Sequence, residues 1–493
     1  MEKHILSKTS YIKGLQCSKA LFLYRHYPQL RDPIPPERQA QFTRGIDVGI
    51  LARELFPGGI DSTVGLSRKY EQAVEKTRDL IEGGTDVIYE AAFRFNGVLI
   101  FVDILARSGN GWHAVEVKSS LRLSPVHVND AALQYYVLKG AGLEITNFSL
   151  AHINSAYRRE GDVQLNKLFN LVSVLEEIEQ KEKQIALNVG EMKTMLEGSQ
   201  VPARDIGDHC FSPYSCDFIG QCWKPLPEHN IFELTGLSRS DAFLLYSSGI
   251  QSITDIVNED SLNEMARAQL RSLREMKPLV DKAKLDKFFS GLKFPLLFMD
   301  IETFMPAIPK YEGTKPFQHL PFQYSIHAVE QEGAEAVHIS FIAEPGNDPR
   351  KEFAESILRD TEGTGSIIVY DSNLERSMLF AMKNLFPEYG DAFLDRISRL
   401  TDLMQPFMER AYHHPAMKGS VSLKNVLPAL VPGMSYTQLK IANGSQAMAA
   451  YEQLHDQQDL FTLAEMKEGL FEYGRLDTLA MVHIMDVLRK AKE

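Results

Sequence analysis

The sequence predicts an α/β protein built from more than one domain. Three observations lead there. The chain runs to 493 residues, too many for a single ordinary core. Strand-like runs of branched and aromatic residues occur in two separate places, around residues 85–119 and 294–304. From residue 294 to the end, such runs alternate with amphipathic helical stretches.

Composition narrows the class. Apolar residues make up 44 % and charged residues 24 %, which fits a globular protein and excludes a disordered or fibrous one. No stretch nears the roughly eighteen uninterrupted apolar residues of a membrane-spanning helix. The opening MEKHILSKTSYIKG lacks the apolar centre and cleavage site of a secretory signal, so a cytoplasmic setting is predicted, where thiols stay reduced. The formal net charge of −12 argues against sequence-independent coating of nucleic acid. It still allows a nucleic-acid enzyme, whose carboxylates hold metal and whose substrate meets local basic patches.

Taken in order, residues 85–105 and 112–119 read as strands, with a Gly109-Asn110 turn between. A long helix is predicted at about 165–197, with Leu168, Leu171, Leu175, Ile178 and Ile185 along one face. The Pro-rich stretch 201–230 reads as a loop and a boundary. Residues 231–290 read as short helices, one opened by a capping box of Ser261 and Glu264. FPLLFMDIETF (294–304) reads as a buried strand.

Four cysteines are all the chain has: Cys17 alone, then Cys210, Cys216 and Cys222 with five residues between neighbours. Grouped thiols in a reducing compartment bind metal more often than they pair. Four thiolates suit an iron–sulfur cluster or a structural zinc.

Two carboxylate constellations stand out. Asp103 ends one apolar strand, and Glu116 and Lys118 share a face of the next, because strand side chains alternate. Gln134 and Tyr136 follow on a helix. Two carboxylates can hold a divalent ion, and a lysine beside them can orient water and steady a phosphate. A Glu-x-Lys taken singly is more often an ion pair on a strand surface. Downstream, Asp300 and Glu302 close a strand on one face, and Tyr473 and Asp477 sit four apart on a helix. Candidates for a further acid are Glu375, with Asp371 as helper, and Asp402, which could equally be an acid at a helix start.

The first set, with its flanking cysteines, resembles the PD-(D/E)XK nucleases of the RecB type. That resemblance implies a restriction-endonuclease-like domain over residues 1–228. It implies catalytic roles for Asp103, Glu116, Lys118, Gln134 and Tyr136, with Mg2+ or Mn2+ on Asp103 and Glu116. It also implies a 4Fe-4S cluster on Cys17, Cys210, Cys216 and Cys222, with zinc as the alternative. Gly49 stands where that family often has a metal-binding histidine. The second set resembles the DnaQ-type DEDD 3′-to-5′ exonucleases. An RNase H-like fold over 291–493 follows from it, with Mg2+ or Mn2+ on Asp300, Glu302, Glu375 and Asp477, and Tyr473 orienting water. Ser422-Leu423-Lys424 resembles the segment before the last motif of such enzymes. Lys424 would there contact phosphate, though a solvated lysine is the other reading.

Between them, residues 229–290 form a helical linker. Its stretch 234–256, with Gly236 and Gly249, distantly resembles a helix-hairpin-helix, and a plain helical bundle is the other reading. Arg267, Arg271, Arg274 and Lys277, followed by Lys282, Lys284 and Lys287, make a basic stripe that is either a solvated face or a phosphate track beside Asp300. The pairing as a whole is similar to bacterial RecB-type nucleases fused to DnaQ-like exonucleases. It implies metal-dependent hydrolysis of phosphodiester bonds in single-stranded DNA or at DNA ends, in repair or defence, with a helicase or repair partner. A nucleic-acid-binding adaptor with one or both sites inactive, or an RNA exonuclease, are the alternatives.

Overall fold

The computed structural model describes residues 4–63, 65, 69–260, 262–454, 457 and 459–493. The protein is a mixed α/β molecule of two compact units. The first comprises Met1–Pro225 together with Pro306–Gln318, and the second Leu226–Met305 with His319–Glu493. The helical stretch 229–290 therefore belongs with the C-terminal sheet. Among the described residues, no helix is long and apolar enough to cross a membrane.

In the first unit, six strands run side by side in chain order: β1 (Ile60–Asp61), β2 (Val87–Phe95), β3 (Val98–Ser108), β4 (Gly111–Lys118), β5 (Ile145–Ile153) and β6 (Phe169–Ser173). What reads as one run over 85–105 is a hairpin. Asn96 and Gly97, with φ of 46° and 73°, turn the chain as left-handed residues do in tight hairpins. Strands β4 and β5 are parallel, so the chain crosses over between them through a helix. The helices are α1 (Lys8–Gln16), α2 (Ser18–His26), α3 (Pro36–Ala52), α4 (Tyr70–Glu82), the crossover α5 (Pro125–Gly140), α6 (Leu165–Leu168), α7 (Leu175–Glu179), α8 (Glu182–Glu197) and α9 (Ile219–Cys222). Helix α5 presses Ala131, Leu133, Val137 and Leu138 into the main core against Val102, Leu105, Phe148 and Leu150.

The single helix predicted for 165–197 is instead two short helices, a strand and a longer helix. Residues 169–173 pair antiparallel with β5, from Ile153–Phe169 to Ser149–Ser173. The branched and aromatic run Phe169 to Val172 finds a sheet edge there, and pairing overrides its helical spacing. Leu171, placed on the apolar face in the sequence reading, is 42 % exposed.

The second unit holds β7 (Leu279–Val280), β8 (Leu296–Phe304), β9 (Leu320–Val329), β10 (Val337–Ile342), β11 (Ile367–Val369), β12 (Leu400–Asp402) and β13 (Tyr412–His413). Five of them form a sheet in the order β10-β9-β8-β11-β12, antiparallel across β10, β9 and β8 and parallel from β8 to β12. Strands β7 and β13 pair separately. Its helices are α10 (Arg239–Ser247), α11 (Glu264–Glu275), α12 (Lys282–Ser290), α13 (Arg350–Asp360), α14 (Asn373–Leu385), α15 (Gly390–Ser398), α16 (Gln405–Met408), α17 (Leu423–Leu430), α18 (Gly444–Leu454) and α19 (Leu460–Lys492).

Around α10 and α11 a small apolar cluster forms, including Leu234, Ile253, Ile256, Leu270 and Leu273, as a helical bundle would. Ser261 lies outside the described residues; α11 is capped by Asn263, whose side chain accepts the Ala266 N–H at 2.9 Å.

Candidate metal centre

Strand β8 delivers Asp300 and Glu302 to one face, opposite Ser325 and Gln323 of β9. Helix α19 crosses the same sheet and brings Tyr473 and Asp477. It can come this close because residue 474 is glycine: a Cβ there would stand 2.7 Å from Gln323 Nε2 and 3.3 Å from Ser325 Cβ. Carboxylate oxygens of Asp300, Glu302 and Asp477 all lie within 4.8 Å of one another. Among the described residues, this is the group of three or more candidate ligands drawn so tightly together.

Glu375, on the first turn of α14, is buried and faces the same acids. Asp402 does not join them. Its Oδ1 accepts the N–H groups of Asp371 and Met404, at 3.0 and 2.9 Å, and its Oδ2 that of Ser372, at 3.0 Å. It thereby fixes the turn at Asp371, whose φ is 60°, and with it the start of the helix that aims Glu375. Asp371 is exposed and accepts from Asn373 Nδ2.

The electrostatics are those of a site short of positive charge. Burial raises the Asp300, Glu302 and Glu375 carboxyls well above their usual range, and the neighbouring acids raise them further. Asp477 is pushed up to about 6 by burial, against hydrogen bonds from Tyr436 and Tyr473 and the charge of Lys424. Asp300 Oδ2 and Glu375 Oε2 are buried without a hydrogen-bond partner. Orphaned carboxylate oxygens beside three clustered acids fit a divalent cation with oxygen ligands. Tyr436 escaped the sequence reading. It opens a single 3-10 turn, Tyr436–Gln438, 37 residues before Tyr473, and no local pattern marks it. Its hydroxyl donates to Asp477 Oδ1 at 2.5 Å, and the Lys424 ammonium lies 5.7 Å from its ring.

In the first unit, Asp103, Glu116, Lys118 and Gln134 do meet. Asp103 Oδ2 accepts the Val117 N–H at 2.6 Å. Lys118 Nζ donates to Glu116 Oε1 at 2.7 Å and to Asp130 Oδ2 at 2.5 Å. Gln134 Nε2 donates to Glu116 Oε2 at 2.8 Å. Tyr136 is not with them. Two residues on a helix turn about 200°, so it faces away from Gln134. It packs on Phe95, and its hydroxyl accepts from Asn96.

Two residues absent from the sequence reading complete this group, Asp130 and Lys8. Lys8 Nζ donates to both Glu116 oxygens, at 2.9 and 3.0 Å, and to the Phe101 carbonyl at 3.2 Å. With Lys8, Lys118 and Gln134 in place, each Glu116 oxygen already has two donors, so this donor set does not fit an added ion as the other does. Burial would raise the Glu116 carboxyl, but Lys118 and Lys8 outweigh it and hold it well below its ordinary value. Asp103 is pushed up to about 8 by burial and by Glu116.

Cys17, Cys210, Cys216 and Cys222 carry free thiols and line one small cavity with His209 and Phe218. The loop carrying the last three is pinned to the N-terminal helices. Gln16 Nε2 donates to the carbonyls of His209 and Tyr214, both at 2.7 Å. Buried Asp217 binds Lys13 (2.7 Å), Arg31 (3.1 Å) and Arg38 (2.6 Å). Burial raises the Asp217 carboxyl, but these cations override it and hold it below its usual value.

The basic stripe is mostly spent on local contacts. Arg267 holds the carbonyls of Glu259 and Asp260, Arg271 pairs with Glu275, and Arg274 with Glu259. Lys277 is exposed. Lys282 and Lys284 donate to the carbonyls of Glu493 and Glu409.

Residues 297–422 match the family described as a domain of unknown function, DUF2779. The chain is similar to that family over this stretch. It holds Asp300, Glu302 and Glu375 and stops short of Tyr473 and Asp477. No curated protein matches the chain.

Proposed function

We propose that the second unit is a metal-dependent phosphodiesterase that trims single-stranded nucleic acid from the 3′ end. The observation that carries this reading is the convergence of Asp300, Glu302 and Asp477 within 4.8 Å. The unpartnered oxygens of Asp300 and Glu375 beside them add to it. The sheet order, with three antiparallel strands followed by two parallel ones, supports an RNase H-like exonuclease fold.

Mg2+ or Mn2+ held by these acids would acidify a bound water and offset charge on the attacking and leaving oxygens. The chain's own residues do the rest. Asp402 fixes the turn that aims Glu375. Tyr436 and Tyr473 orient Asp477 through their hydroxyls. Lys424 supplies a cation for a phosphate oxygen. For the four thiols we propose a 4Fe-4S cluster that locks the first unit. Four thiols lining one small cavity suit a tetrahedral structural zinc as well, which is the alternative.

The test is an end-labelled single strand, DNA in one arm and RNA in the other, incubated with Mn2+. A ladder shortening from the 3′ end, absent with EDTA and with Asp300→Ala, is expected. Intact strands in both arms overturn the proposal.

A further inference from the structure

Residues of the first unit that the proposed hydrolysis leaves unused line a groove of about 480 Å³ that runs from Glu116 and Lys118 past Arg31, Arg38, Phe42 and Tyr214. We propose that this groove holds single-stranded nucleic acid without a divalent ion and without cutting it, Lys8 standing at Glu116 as a built-in counter-ion. The inference rests on the reading of nucleic acid as the substrate.

Three observations carry it. The first is Glu116 itself, whose two oxygens are filled by Lys8, Lys118 and Gln134 at 2.7–3.0 Å. A tethered ammonium costs no divalent ion and cannot polarise water as one does. The second is charge. Lys8, Lys13, Arg31, Arg38 and Lys118 face Glu116, Asp130 and Asp217 in the groove, a formal surplus of two positive charges in a chain of −12. Arg31 and Arg38 each commit one nitrogen to Asp217, and with roughly a third of each side chain exposed they keep donors for a phosphate.

The third observation is the pair of aromatic faces. Phe42 and Tyr214 are 47 % and 50 % exposed, and the Arg38 guanidinium lies 6.0 Å from the Phe42 ring centroid. Cations that track a backbone, interleaved with open rings on which bases stack, are what a single strand needs and a duplex cannot use. Ile46 and Ile50 extend the exposed face of α3 beyond Phe42 at helical spacing, 61 % and 55 % exposed.

The full-length protein with Asp300→Ala and Asp477→Ala, which disarms the second unit, separates the possibilities. Fluorescein-labelled 20-mers of DNA and RNA are titrated and followed by anisotropy, with EDTA or with Mn2+. Affinity for at least one of the two single strands should agree within about twofold between the two conditions, and a duplex should bind at least tenfold more weakly. Phe42→Ala, an exposed site whose loss leaves the core untouched, should weaken binding about tenfold at unchanged melting temperature. Mn2+ paramagnetic resonance should find no tight ion in this protein, and Lys8→Met should create one. Cutting by the disarmed protein that disappears with Glu116→Gln, binding abolished by EDTA, or equal affinity for duplex would each overturn the inference. Failure of the unaltered protein to cut bears on the second unit alone and leaves these readouts intact.

Discussion

The hydroxyl of Tyr436 lies 2.5 Å from Asp477 Oδ1 and donates to it, so a tyrosine on a short 3-10 turn orients a carboxylate of the long C-terminal helix. Tyr473, four residues before Asp477 on α19, also hydrogen-bonds to it, its ring centroid 6.1 Å from that of Tyr436. Tyr436→Phe should therefore lower kcat about ten- to hundredfold with little change in KM, because a misaimed ligand costs the reaction more than it costs binding. Folding should be unaffected. A circular-dichroism melt beside the kinetics checks both halves; a fall in melting temperature matching the loss of activity would assign Tyr436 to packing instead.

Buried like charges at the second unit should make the protein more stable when one is removed. Asp300→Asn takes away a carboxylate whose Oδ2 has no partner. In EDTA it should raise stability by roughly 1–2 kcal/mol. It should also abolish the stabilisation that Mn2+ gives the unaltered protein. Urea melts with and without Mn2+ read both effects.

The same acids set a pH dependence. Asp300, Glu302 and Glu375 are raised in the folded protein, and Asp477 sits at about 6, all above the values near 4 of an unfolded chain. Native carboxyls then hold protons that the unfolded chain has released. Their contribution to stability is complete below about pH 4 and is lost as pH rises from there, through about 6 for Asp477 and on through the raised values of the other three, by up to ~1.4 kcal/mol per pH unit for each proton. In EDTA the melting temperature should fall over that range, and Mn2+ should reverse the trend above pH 6. A flat profile in EDTA counts against a native cluster of raised carboxyls.

Asp217 behaves in the opposite sense. Its folded value is depressed, so its contribution is present above about pH 4 and disappears as pH falls through that depressed value. Asp217→Asn should cost about 3 kcal/mol at pH 7, since it leaves Lys13, Arg31 and Arg38 facing one another. The variant should also lose visible absorbance from any cluster on the four cysteines, as the loop that carries three of them comes loose. Absorbance kept in full at neutral pH would show that the thiols, not Asp217, hold the loop.

Much of the candidate metal centre was legible because its parts are local patterns. Asp300 and Glu302 lie two apart on an apolar strand, and Tyr473 and Asp477 lie four apart on a helix. Each spacing fixes a shared face before any tertiary structure is known. Choosing between Glu375 and Asp402 needed the structure, because only the three backbone N–H groups around Asp402 show that it is already engaged. Lys8 and Tyr436 were invisible as single residues, brought in by contacts 108 and 41 positions long. Tyr136 misled because it was read from a motif rather than from its helical angle to Gln134. The stretch 165–197 misled because an apolar spacing suited to a helix includes Leu171, which a free sheet edge captured as strand.

The link between β8 and β9 has a practical outcome for anyone dissecting the protein. Residues 306–318 leave the second sheet and place Ala307, Ile308 and Phe317 in a core of the first unit, with Arg159 gripping the carbonyls of Pro309 and Lys310. The polypeptide thus passes from one body to the other three times, at 225, 305 and 318. Truncation after residue 225 would strip a wall from the fragment that remains, and the complementary piece would carry a sticky apolar tongue. The two halves are stitched rather than strung, and neither can be traded as a cassette.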